Sequence, residues 1–192
     1  MVDRSVNKRD QLVRTSVRLF AEHGFHATGI DRIAREAAIS KRTLYQYFRT
    51  KDELILAALR HKDGLFRNDF VKAVEAKASA PTDRLLAIFD VANDWFLSKD
   101  FFGCMFVNAV GEHSSADSPV RRACIEYKRL VQGYIRDLAE EAGLSNPAAV
   151  AEELALLFEG ATVTAQVSGQ ADSAAVAKRM AHVLIERHTA SR

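Results

Sequence analysis

The sequence predicts an all-α protein: a small N-terminal three-helix head, joined by a connecting helix to a larger C-terminal helical body. Three observations lead there. Apolar residues recur at helical spacing along most of the chain. No stretch alternates apolar and polar residues for the length of a strand. Only three prolines and nine glycines punctuate 192 residues, which leaves long runs free to be helical.

The first helix is predicted over residues 8 to 23, where Val13, Val17, Phe20 and Ala21 share a face and Arg14 and Arg18 point elsewhere. Gly24 follows as its C′ residue. Thr28 is predicted to cap a short second helix, with Asp31 at capping-box spacing and Ile30, Ile33, Ala34 and Ala37 buried. Ala38-Ile39-Ser40 makes a tight turn, and Ser40 caps a third helix, Lys41 to Phe48. Ala38 is uncomfortable there if the turn demands a positive φ. Thr50-Lys51-Asp52-Glu53 is a second capping box and opens a fourth helix toward Ala78, with Gly64 as a point of bending. Beyond Pro81, amphipathic helices are predicted at about 82–99, 101–112, 119–142, 147–168 and 172–189. Breaks fall at Lys99-Asp100, Ser114 to Ser118, Gly143 to Pro147 and Gly169. The expected domains are 1–50, the head, and 51–192, the connecting helix and body.

Composition narrows the function. Hydrophobic residues make 48% and charged residues 27%, ordinary for a globular chain. No run approaches the roughly 18 to 20 apolar residues of a membrane helix, and Met1-Val2-Asp3-Arg4 carries no apolar leader, so a cytoplasmic protein without a membrane partner is expected. Cys104 and Cys124 form no paired motif, and the six histidines have no metal-binding spacing, so neither metal nor cofactor is predicted. Both cysteines are read as small buried hydrophobes, Cys124 being the better thiol candidate because it follows Arg121-Arg122. Residues 1 to 60 hold 12 Lys/Arg against 7 Asp/Glu, while the remainder is slightly acidic, which places a polyanion at the head.

Two short helices around a tight turn, the second with a polar face, make a helix-turn-helix. At about 100° per residue, Leu44 and Phe48 of the third helix share the buried side. Arg42, Thr43 and Gln46 fall opposite, with Lys41 and Tyr45 on one flank and Tyr47 on the other. Arginine can bond guanine O6 and N7, and glutamine adenine N6 and N7. The tyrosines, Lys41, and the helix-opening residues Thr28 and Lys51 suit phosphates. The candidate DNA-binding set is Thr28, Lys41, Arg42, Thr43, Tyr45, Gln46, Tyr47 and Lys51, and the partner is double-stranded operator DNA.

Three blocks in register carry a family resemblance: Gly24-Phe25-His26-Ala27-Thr28-Gly29-Ile30-Asp31-Arg32-Ile33-Ala34, then Ile39 through Phe48, then Lys51-Asp52-Glu53-Leu54. Together they resemble the N-terminal domain of TetR transcriptional regulators over about the first 60 residues. Gly29 and Ala38 depart from that family's usual Ser/Thr and Gly. The resemblance implies a homodimer, a C-terminal ligand-binding body and, usually, repression from a palindromic operator relieved by a small-molecule effector. Gly103-Cys104-Met105-Phe106-Val107-Asn108-Ala109 resembles a stretch of one subset of these regulators.

In the body, Trp95, Phe102, Met105, Phe106, Asn108 and Tyr127 are the pocket candidates, with Gln132 and His113 as further polar anchors. Leu154, Leu157, Phe158 and Ala161, together with Val176, Met180 and Val183, are the candidate dimer stripes. A phosphate loop, a nucleophile elbow and paired metal ligands are all missing from the sequence, so an enzyme is not predicted. The alternative is a helical ligand-binding or scaffolding dimer that does not bind DNA.

Overall fold

The computed structural model describes residues 4–113, 115, 117–169 and 172–189, with side chains from Lys8 onward. Met1–Asp3, on which the expectation about a leader rests, and Ser114 and Ala116 in the predicted break lie outside the described residues. Among the described residues there are nine helices and no strand: α1 (Arg4–His23), α2 (Ile30–Glu36), α3 (Lys41–Tyr47), α4 (Lys51–Lys77), α5 (Pro81–Phe96), α6 (Met105–Glu112), α7 (Pro119–Glu141), α8 (Pro147–Ser168) and α9 (Ser173–Thr189). Among the described residues no helix is long and apolar enough to cross a membrane.

The chain forms two compact units. One holds the residues up to Phe66 together with Met105–Tyr127; the other holds Arg67–Cys104 and the residues from Lys128 on. These units differ from a division at residue 50, because α4 and α7 each contribute to both. Helix α4 runs unbroken through Gly64 for 27 residues.

The first unit contains the three-helix head. The face that α1 buries is Leu12, Val13, Ser16, Leu19 and Phe20, with Val17 and Ala21 only half-buried. The stripe is therefore rotated from the predicted one, so that two leucines with more apolar area go inside. Ser16 is tolerated there because its hydroxyl donates to the Leu12 carbonyl at 2.7 Å. Phe20 stacks on Phe25 at 4.9 Å between centroids, and Ile33, Ala34, Ala37, Leu44 and Phe48 complete the core. Arg9 lies 5.2 Å from the centre of the Phe48 ring and covers its outer face.

Local signals account for most helix ends. Ser40 caps α3, its Oγ accepting from the Thr43 N–H at 3.1 Å. Thr50 Oγ1 accepts from the Glu53 N–H at 3.2 Å, and the Glu53 carboxylate reaches back to the Arg49 N–H at 2.7 Å. The α2 start departs from expectation. Its N-cap is Gly29, without a side-chain cap, and Thr28 is fully buried. The Thr28 hydroxyl donates instead to the Gly24 carbonyl at 2.7 Å and the Leu19 carbonyl at 3.2 Å, sealing the end of α1. In the α2–α3 turn, Ala38 has a φ of 49°, a left-handed conformation that is unfavourable for a residue with a Cβ.

The second unit is a helical layer packed around Phe70, Val74, Leu85, Ile88, Phe89, Ile135, Leu138, Val150, Leu154 and Phe158. Helix α9 packs on both α5 and α8. Leu154, Phe158 and Ala161 are buried in this core within one protomer, which corrects their assignment to an exposed dimer stripe; Leu157 is half-buried. The exposed apolar line of α8 is Leu156, Val163 and Val167. On α9, Val176, Met180 and Val183 are exposed as one line, 44%, 52% and 64% accessible.

Candidate nucleic-acid interface

Helix α3 divides as its periodicity requires. Leu44 is fully buried and Phe48 nearly so, while Lys41, Arg42, Tyr45 and Gln46 are exposed and Thr43 and Tyr47 half-buried. Tyr45 keeps 44% of its surface in solvent. A major groove admits such a helix, and Arg42 and Gln46, one turn apart, can both face base edges.

The flanking groups are not equivalent. The Lys41 ammonium pairs with the Asp31 carboxylate at 2.8 Å, and that hydrogen bond, with the adjacent negative charge, raises the lysine above its ordinary range. Thr43 is partly committed to the cap, its hydroxyl 2.9 Å from Ser40 Oγ. Lys51 donates to the His26 carbonyl at 3.4 Å and stands at the N-terminus of α4. The Thr28 hydroxyl is enclosed and used within the fold, so the place of Thr28 in the set rests on its backbone N–H alone.

The turn before α2 is held from a distance. Glu112, the last residue of α6, accepts from the Phe25 N–H at 2.8 Å and from the His26 N–H at 2.5 Å, and lies 2.7 Å from His26 Nδ1. Burial alone would push its carboxyl up, but these donors and the nearby imidazole outweigh burial and hold it below the usual carboxylate range. His113 meets the edge of Phe25 and stacks over His26 at 5.6 Å, so it belongs to this contact and is not a pocket anchor. Nothing in the sequence marks Glu112, because its partners lie 86 and 87 residues away.

A cavity of about 340 Å³ opens in the same unit, lined by Leu56, Leu59, Arg60, Phe106, Arg122 and Tyr127 among others. Phe106 and Tyr127 stack face to face at 3.6 Å on one side of it. They are the two pocket candidates the structure brings together. Met105 is buried and Asn108 half-buried on α6, but neither lines this space. Trp95 and Phe102 belong to the other unit, where Trp95 packs against Phe96 and Phe101 and Phe102 stays 40% exposed. Gln132 is also in that unit. The second unit has an open groove of about 580 Å³ between α5 and α9, bridged by the Asp90–Lys178 ion pair, and none of the candidates lines it. Among the described residues, no three His, Cys, Asp or Glu side chains cluster as metal ligands, and both cysteines are buried.

Comparison with known proteins agrees with this geometry. Residues 12–58 match the family "Bacterial regulatory proteins, tetR family", and residues 81–181 match "Tetracyclin repressor-like, C-terminal domain". The HTH-type transcriptional regulator YerO of Bacillus subtilis is 38% identical over 79 residues, 41% of this chain and 27% of that protein. The HTH-type transcriptional activator FasR of Mycolicibacterium smegmatis is 48% identical over 59 residues, 30% of this chain and 27% of that protein. The chain thus covers only about a quarter of the length of these two relatives. The crystal structure of SCO4454, a TetR-family transcriptional regulator from Streptomyces coelicolor, superposes with a TM-score of 0.87 at 28% identity, over 95% of this chain and 96% of that one.

Proposed function

The chain belongs to the TetR family of DNA-binding transcriptional regulators, and from that premise we propose that it is a repressor, released from a palindromic operator by a small-molecule effector. The observation that carries the reading is the polar face of α3, where Arg42, Tyr45 and Gln46 project to solvent over a helix anchored by Leu44 and Phe48. A homodimer, paired through the exposed lines of α8 and α9, would set two such helices on the half-sites of a two-fold operator.

The effector site is the cavity beside Phe106 and Tyr127, where Leu56, Leu59 and Pro119 supply further apolar wall and Arg60, Asp63, Arg122 and Glu126 supply charged groups of both signs that can orient a polar ligand. Helix α4 is the coupling element. It starts at the capping box behind α3, supplies Leu56, Leu59 and Arg60 to the cavity, and is about 40 Å long at 1.5 Å per residue. An effector that binds one α4 position more tightly than another shifts the population of DNA-competent dimers, and only that difference in affinity can do so.

The test is selection of bound duplexes from a random pool at near-physiological salt, followed by a reporter gene placed behind the selected site. One palindrome with half-sites about a helical turn apart, and lower reporter output in the presence of the protein, supports the reading. No preferred sequence overturns operator recognition. A palindrome with raised output overturns repression alone, and the resemblance of the head to FasR, named an activator, makes that the second reading.

A further inference from the structure

The segment matched by the DNA-binding family model ends at residue 58, yet the turn that opens the helix-turn-helix is held by a residue of α6. Both oxygens of Glu112 are used, one on the Phe25 N–H and the other on the His26 N–H and ring. The approach is close enough to restrict the neighbouring residue. Gly24 has a φ of +81°, which favours glycine, and a Cβ added there would lie 3.0 Å from Glu112 Oε1, so a side chain would also crowd the carboxylate. His113, next in the chain, clamps the same two residues with its ring.

The held turn is also a junction. Phe25 is buried against Phe20, the Gly24 carbonyl receives the Thr28 hydroxyl, and the His26 carbonyl receives Lys51 at the start of α4. Gly29, one residue beyond Thr28, opens α2 without a side-chain cap. The entry to α2 therefore depends on bonds made upstream of it, and three of these converge on one carboxylate. Charge-assisted bonds to backbone N–H groups are stronger and more directional than neutral ones.

We propose that Glu112 is a positioning residue for DNA reading: its carboxylate fixes the α1–α2 turn, and so the orientation in which α2 and α3 are presented to the groove, without itself meeting DNA. This rests on α3 being the reading helix. A reading helix displaced by an ångström loses its base contacts while phosphate attraction persists, so the loss falls on specific affinity.

The experiment compares full-length wild type, Glu112→Ala and Glu112→Gln. Amide hydrogen exchange is measured at residues 24 to 28, and equilibrium binding to the selected operator and to an unrelated duplex. Glu112→Ala is expected to speed exchange at Phe25 and His26 by about tenfold or more and to weaken operator binding about tenfold, with binding to the unrelated duplex within about twofold of wild type. Glu112→Gln, which keeps the shape and one acceptor but not the charge, is expected to fall between, and carries the test if the alanine variant does not fold. Unchanged exchange with unchanged operator affinity overturns the proposal, as does an equal loss on both duplexes. A wild type with no sequence preference overturns the reading of α3 and the proposal with it. That failure is distinguishable, because exchange at Phe25 and His26 is read without DNA.

Discussion

Lys41 opens α3 with its ammonium 2.8 Å from the Asp31 carboxylate on α2, so the charge of a lysine proposed to meet phosphate is already paired within the head. Both side chains are more than half exposed, and such pairs contribute little to stability. Asp31→Asn is therefore expected to leave the melting temperature nearly unchanged and to tighten binding to all duplexes. Its signature is a salt dependence of log K against log salt steeper by about one. An unchanged slope would show that Lys41 meets no phosphate.

Arg42 and Gln46 are exposed one turn apart on α3, whereas Lys51 stands at the start of α4. Arg42→Ala is expected to cost about 1–3 kcal/mol on the selected site and to relax preference at one base position. Lys51→Ala should weaken all sequences alike. Repeating the duplex selection with each variant separates the two, and identical wild-type profiles for both would refute the assignment.

Ala38 holds a φ of 49° in the α2–α3 turn. Glycine removes the Cβ penalty of this conformation, about 1 kcal/mol, though it adds disorder to the unfolded chain. With that offset, Ala38→Gly is expected to raise the melting temperature by roughly 1–2 °C, measured by calorimetry. A lower melting temperature would mean that the strain is compensated within the turn.

Val183 is 64% exposed on α9, in line with Val176 and Met180. Val183→Glu is expected to shift the protein from dimer to monomer in analytical ultracentrifugation and to abolish operator binding, with helical content intact. Leu154→Ala, by contrast, acts inside the α8 core, and should destabilise the fold by about 2–5 kcal/mol. A dimer that survives Val183→Glu would put the interface elsewhere.

The Glu112 carboxyl is held below its ordinary range in the folded protein, so it binds fewer protons there than in the unfolded chain. Its contribution to stability is present above the unfolded carboxylate range and is lost as pH falls through the depressed folded value. Acid titration of amide exchange, read as protection relative to the free amide, should loosen the turn at Phe25 and His26 in wild type as pH falls below the usual carboxylate range. In Glu112→Gln this step should be absent, and a step that persists would assign it to another group.

Much of the head was legible because its signals are local. Ser40, Thr50 and Glu53 announce helix starts through bonds to residues three or four positions away, and the Leu44–Phe48 spacing sets the buried side of α3 with no reference to the rest of the chain. Thr28 carried the same local signal as Ser40 and did otherwise. A hydroxyl beside a helix start can bond forward into the helix or back toward the preceding one, and only the path of the chain at Gly24 selects the second.

The same limit governs the body. Helix α8 carries two apolar lines, Leu154–Phe158–Ala161 and Leu156–Val163–Val167, and each has helical periodicity. Periodicity cannot rank them; the packing of α5 and α9 against one line buries it and leaves the other in solvent. The aromatic candidates divide in the same manner, Phe106 and Tyr127 meeting in one cavity while Trp95 packs among its own neighbours.

From its residues alone, the chain determined nine helices among those described, the caps that open α3 and α4, and the polar face of α3, since each follows from interactions within a turn or two. Tertiary structure decided which apolar faces are inside, where a cavity remains, and that a carboxylate at the end of α6 holds the turn before α2. Those outcomes depend on groups that meet only after the chain has folded back over 80 or more residues, as Glu112 meets Phe25 and His26.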